Sequence, residues 1–366
     1  MEAKISKKLF CSLVGVFFLF CLNLPGMGTL MTAHAGTEKE LVVQTWGGLV
    51  LDALTEAYFK PFTKETGVKV VPVSAGADQF GKITAQVRSG NIEWDLIEGP
   101  DYPTMENAAK NGLLEPIDYE IVTDTKDLIP GSVKKWAFGM DPEVAVITYN
   151  HKRFPGENRP RTWKDFFDVE RFPGPRTMPN WGLPHQVLAA ALLADGVSPE
   201  DLIPIDFERA FHKLDQIKPH VRVWYTGGDQ SIQTMLREEA VIGMLTDGRA
   251  KGAKELGVPL SIEWNQGLAY ICYWAVVKGA PHKTTAMEFL NFACRPELQA
   301  TFTKIVKYTG VNRKLLDYLD PSEAKDQCIH PDNWNRLLQF PSAKDASWVT
   351  SHSDEITERW NSWLSQ

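Results

Sequence analysis

The chain has 366 residues, 43% of them hydrophobic and 23% charged, with a formal net charge of −7. That balance argues against nucleic acid and anionic membrane surfaces as partners, since both repel an acidic protein. The length suits roughly two domains, and of the five cysteines only an odd number, three, lies beyond residue 35, which rules out a disulfide framework.

Residues 1–35 read as a cleaved signal peptide. Lys4, Lys7 and Lys8 form a basic start, Leu9 to Leu24 an apolar run, and Ala33-His34-Ala35 a small-residue cleavage site. A lipoprotein reading on Cys21 fails at Phe20, which is too large for the small-residue position before it. Cleavage after Ala35 removes three lysines and one glutamate and takes the formal charge from −7 to −9. No later stretch approaches the roughly 18 uncharged apolar residues of a membrane span. The processed chain is therefore expected in the periplasm. It keeps Cys272, Cys294 and Cys328, which can form at most one bridge and are expected as buried thiols.

After the leader, strand and helix signals alternate. β-branched or apolar runs stand at Leu41 to Trp46, Val68 to Val73 and Trp94 to Ile97. Between the first two, Leu51, Leu54, Tyr58, Phe59 and Phe62 form a helical stripe, broken or restarted at Pro61. Phe80, Ile83 and Val87 form the next. Strands separated by helices imply a parallel sheet with right-handed crossovers, and ligands of such sheets sit beyond the strands' carboxyl ends. Those ends carry Trp46, Glu98, Asp101 and Tyr102.

The run from Met140 to Asn150 reads as a first crossing between lobes. His185 to Ala194 and Phe207 to Ile217 read as helices, and VRVWYTGGDQS as a strand ending near Trp224 with Asp229 as N-cap of the following helix. Val241 to Leu245 reads as a buried strand running into Thr246, Asp247 and Arg249. Asn265 to Val277 is the return strand, carrying Tyr270, Cys272 and Tyr273 to the cleft. One helix follows through TTAMEFLNFACRPELQATF, and then a helical tail from Leu315 to Gln366.

Motifs for chemistry are sparse. GADQFGKI approaches a phosphate loop but has Ile83 where a hydroxyl residue should hold magnesium. The eight histidines show no paired metal-ligand spacing, so no metal or other cofactor is expected. No G-x-S-x-G elbow is present. Cys272 is the one residue that could act as a nucleophile, although a small cleft-wall residue explains it as well. Trp46, Trp181, Trp224 and Trp264 fall at strand ends or Gly/Pro breaks, where aromatic faces can wall a small-molecule site or hold a cation. Asp247, Glu98 and Asp101 offer counter-charge to an amine, and Arg249 pairs with Asp247 or takes a carboxylate.

The order and spacing of several segments then resemble the bacterial extracellular solute-binding proteins of ABC importers, in particular the spermidine/putrescine-binding group. They are TWGG at Thr45 to Gly48, WDLIEGPDY at Trp94 to Tyr102, IGMLTDGRA at Ile242 to Ala250, AMEFLNFACRPELQATF, and Tyr308 to Asn312. The resemblance implies an α/β fold of two lobes joined by hinge strands, closing on a solute delivered to permease subunits. The lobes are expected at 36–139 with 270–312, and at 140–269 with 313–366. The protein would be a monomeric receptor and not an enzyme. Carried over residue by residue, the polyamine site keeps aromatics at Trp46 and Tyr102. Its Trp-x-Asp becomes Tyr270-x-Cys272, and another acid becomes Asn180. With two carboxylates gone, an amine would rely on Glu98, Asp101 and Asp247, stacked among Trp46, Trp181, Trp224 and Tyr270. The alternatives are a receptor for a small carboxylate or amino-acid-like solute, and an exported thiaminase-like transferase using Cys272.

Overall fold

The computed structural model describes residues 39–75, 78–180, 184–342 and 345–366. Residues 1–35, expected as a signal peptide, and Trp181 lie outside the described residues. Among the described residues nine strands form one mixed sheet: β1 (Glu40–Thr45), β2 (Lys69–Ser74), β3 (Leu96–Gly99), β4 (Phe138–Asn150), β5 (Arg176–Pro179), β6 (Val221–Tyr225), β7 (Ile242–Thr246), β8 (Leu260–Val276) and β9 (Leu338–Gln339). Their order is β2-β1-β3-β8-β4-β7-β5-β6, with β9 beside β8. The parallel crossovers read from the sequence are there within each half: β1 lies parallel to β2 and β3, and β5 to β6 and β7. The centre is antiparallel, because β8 returns between β3 and β4.

Among the described residues two large hydrophobic cores flank this centre, with a smaller cluster around Met235, Leu245 and Leu260. The first gathers Leu41, Val43, Leu54, Phe62, Ile83 and Leu96 with Phe289 and Phe302. The second gathers Trp163, Phe166, Phe172, Leu188 and Met244 with Trp360 and Trp363. Strand β4 serves both: Val144 and Val146 pack in the first, Ala145, Ile147 and Tyr149 in the second. Alternate residues of a strand face opposite ways, so a single strand can join two cores. From the tail, Leu315, Leu319, Cys328 and Ile329 pack with the first core.

Local chemistry explains the departures from the sequence reading. The stripe before β2 continues through Pro61 with a π turn at Thr55–Phe59, where the Lys60 amide bonds to the Thr55 carbonyl. A proline cannot supply the next helical donor, and the wider turn absorbs the gap. The helix expected through Arg295 is two, Lys283–Ala293 and Pro296–Val306, since proline opens a helix far better than it continues one. The tail is not helical throughout: Leu338 and Gln339 pair in parallel with Leu268 and Ala269. Among the described residues Cys272, Cys294 and Cys328 are buried free thiols.

Candidate functional site

The site forms where β4 and β8 run side by side. Phe138 pairs with Trp274 and Gly139 with Tyr273, but Asp141 then pairs with Cys272 and Glu143 with Tyr270. Met140 is thus an extra residue in β4, a bulge that shifts the alternation by one. Opposed residues of an antiparallel pair share a face. The bulge therefore sets two carboxylates, a thiol and a phenol together, and one ligand atom each of Asp141, Glu143 and Cys272 lies within 4.8 Å of the others. The Tyr270 hydroxyl donates to Glu143 Oε2 at 2.6 Å. Cys272 Sγ stands 3.8 Å from Glu143 Oε1 and 3.4 Å from the Pro100 carbonyl.

Glu98 approaches from the end of β3. Its Oε2 accepts the Trp46 amide at 3.1 Å, while Oε1 is buried without a hydrogen-bond partner. Burial pushes its pKa up to about 8, against the Trp46 amide and the Thr45 hydroxyl, which pull it down. Asp141 is also buried, with Oδ1 unpartnered, and burial together with the charges of Glu143, Glu98 and Asp247 raises its pKa well above the carboxylate range. Burial likewise raises Glu143, opposed by the Tyr270 hydroxyl and by the charge of Arg249. Among the described residues Glu98, Asp141 and Glu143 make no ion pair. The sequence analysis included Glu98 but missed Asp141 and Glu143, because a bulge inside an apolar run leaves no mark in composition.

The other expected acids do different work. Asp247 is buried, accepts the Val144 amide at 3.2 Å and pairs with Lys251 Nζ at 3.0 Å, one helical turn on. Asp101 caps the helix Tyr102–Lys110 by accepting the Thr104 amide. Asp229 is not an N-cap: Gly227 holds that position, and Asp229 sits in the first turn of Gly228–Leu236. Its side chain is 93% exposed and meets Arg249 Nη1 at 2.9 Å. Such a solvated pair contributes little, so Arg249 stays available. The Arg249 side chain lies against Gly228, where a Cβ would come within 2.3 Å of Nε.

The aromatic residues divide. Trp46 remains 39% exposed. Tyr102 packs on Tyr273, with Lys134 Nζ 4.6 Å from its ring centroid. Beside Tyr270 a cavity of about 220 Å³ runs past Asp101, Tyr102, Lys134 and Tyr273. Trp224 instead packs edge-on against Trp360 and Trp363, and the Trp360 indole donates to Asn180 Oδ1 at 3.0 Å. Trp264 is in the first core. The residue after Trp224 faces the other way: the buried Tyr225 hydroxyl donates to the Met244 carbonyl, and the charges of Glu143 and Arg249 act on it. Tyr308, marked in the sequence only as part of a family segment, shares a 3.0 Å hydrogen bond with Thr246 and lays its ring on Gly248.

The model of the family described as bacterial extracellular solute-binding protein matches residues 57–328. The chain belongs to that family. It is a solute-binding receptor of the ABC-importer class, with the two-lobed α/β fold of that class. Over 350 residues, 94% of this chain and 96% of the relative, it is 32% identical to a gamma-aminobutyric acid-binding protein of Pseudomonas aeruginosa. It is 24% identical to the spermidine/putrescine-binding periplasmic protein of Escherichia coli, over 83% of this chain and 86% of that protein. A solved GABA receptor superposes with a TM-score of 0.80 at 33% identity, covering 89% of this chain and 97% of the other. Members of this family bind and deliver solutes rather than transform them. In this solute-binding protein Cys272 has the opposite of a nucleophile's setting. Burial, then the charges of Glu143, Asp141, Glu98 and Asp101, raise its pKa and hold it as a neutral thiol.

Proposed function

We propose that this protein is a periplasmic receptor for a small solute carrying both a protonated amine and a carboxylate, of the size and type of an ω-amino acid. The observation that carries the reading is the group Glu98, Asp141 and Glu143: two buried carboxyl groups and one half-buried, with no ion-pair partner among the described residues. A buried charge without a partner is strongly disfavoured, and an incoming ammonium supplies one. Arg249, whose ion pair among the described residues is with the exposed Asp229, offers a planar fork for the carboxylate. The GABA-binding relatives support this ligand class, since GABA carries both groups. A polyamine lacks the carboxylate and would leave Arg249 unused. Trp46 and Tyr102 would wall the solute, while Trp224 and Asn180 support the second core from behind.

The same reading takes residues 1–35 as the export signal and the mature chain as a monomer that docks on permease subunits. It divides the lobes near the sequence-based boundaries, with residues 313–329 assigned to the first lobe, where their apolar side chains pack.

Titration calorimetry tests the ligand class. GABA is expected to bind, putrescine to bind at least about 10-fold more weakly, equivalent to about 1.4 kcal/mol, and Arg249→Ala to narrow that gap by weakening GABA alone. Tighter binding of putrescine than of GABA would overturn the reading.

A further inference from the structure

Ammonium recognition makes no use of a sulfur atom, yet the Met140 bulge brings a thiol against two carboxylates. We propose that Asp141, Glu143 and Cys272 form a binding site for a divalent transition-metal ion of the zinc class, with one coordination position open to water or to a solute atom. Zinc takes sulfur at about 2.3 Å and carboxylate oxygen at about 2.0–2.2 Å, which at a tetrahedral angle sets the two donors about 3.6 Å apart. Cys272 Sγ and Glu143 Oε1 are 3.8 Å apart already. The third donor, from Asp141, falls within the same 4.8 Å group.

Two further features point to a ligand here. Asp141 is 2% exposed and its Oδ1 has no hydrogen-bond partner, a costly condition that a metal relieves. Tyr270 holds Glu143 by Oε2, leaving Oε1 toward the sulfur. Outer contacts of that kind orient ligating carboxylates. The sulfur decides the class of ion: magnesium and calcium prefer all-oxygen shells, whereas zinc and its neighbours accept thiolate with carboxylate. A metal must displace protons from these donors, so binding strengthens as pH rises.

Cobalt is the probe, because a thiolate bound to Co2+ gives an intense near-ultraviolet charge-transfer band. Titrating the metal-free protein is expected to raise that band to saturation at one ion per chain. Cys272→Ser is expected to abolish it, Asp141→Asn to weaken cobalt binding about 10-fold or more, and Cys294→Ser to leave it unchanged. No band in the parent protein, or a band that survives Cys272→Ser, would refute the site. Should Cys272→Ser not fold, X-ray absorption on the zinc-loaded parent protein decides instead. One sulfur in the metal's shell supports the site, and an all-oxygen or nitrogen shell overturns it. Both readouts come from the metal itself; because Asp141 and Glu143 are also the carboxylates assigned above to the ammonium, the ion and the ammonium exclude one another there, and a failure of either reading shows separately.

Discussion

Glu98, which the proposed function places against the solute, carries a cost to stability. An exposed glutamate titrates near pH 4.3 in an unfolded chain, whereas burial holds Glu98 at about 8 in the fold. Between about pH 5 and 8 the folded chain retains this proton and the unfolded chain does not, so the Glu98 contribution to stability falls as pH rises through that window. Glu98→Gln, which cannot titrate, is expected to flatten the decline in melting temperature over the same range. Parallel profiles for the two proteins would show that Glu98 ionises normally in the fold. The residue was legible in the sequence as an acid at a strand end; its raised pKa was not, because burial depends on what packs over it.

At the scale of elements, the five-residue helix Trp163–Phe167 makes the relation between local signal and tertiary support plain. The sequence reads as a short turn there, and the structure shows a helix with a capping box, Thr162 with Asp165. Five residues are nevertheless too few for an independent helix, and it is docking that holds this one. The Trp163 ring is fully buried, with its indole N–H on the Gln266 carbonyl at 2.9 Å and its amide on the Gln266 side chain. Trp163→Ala is expected to destabilise the protein by about 3–5 kcal/mol, measured by urea unfolding. A loss below about 1 kcal/mol would mean that the second core closes over the gap. Strand β4 carries the converse lesson. Its apolar run is obvious as a strand and was read as a crossing between lobes, yet the Met140 bulge decides which of its residues look into the site.

At the scale of the molecule, two cores joined through β4 and β8 suit a receptor that closes on its solute by hinge motion. Tyr308, packed with the first core, rests on Gly248 at the start of the helix following β7. A Cβ at residue 248 would come within 2.5 Å of the Tyr308 ring. Gly248→Ala is therefore expected to weaken solute binding about 10-fold or more, a change worth about 1.4 kcal/mol. Adding Tyr308→Ala should recover part of the loss, because the two residues are in contact and couple. Equal affinities for Gly248→Ala and the parent protein would show that this contact takes no part in the bound state.

Read alone, the sequence determined the alternation of strand and helix, the positions of most strand ends, the two-lobed α/β class and the solute-binding family. Hydrophobic periodicity and turn residues act over a few positions and mark the strands, the helices and their ends directly, whereas the lobes and the family rest on the resemblance carried by segments such as TWGG and IGMLTDGRA. It also placed Trp46, Glu98, Tyr270 and Cys272 at strand ends or on the return strand. Only the tertiary structure decided that Asp141 and Glu143 face Cys272 and Tyr270, that Asp247 is matched by Lys251, and that Trp224 turns away while Tyr225 turns inward. Each of these follows from register or from packing between distant segments. A one-residue bulge exchanges the two faces of a strand without changing its composition, so no reading of composition or period can find it.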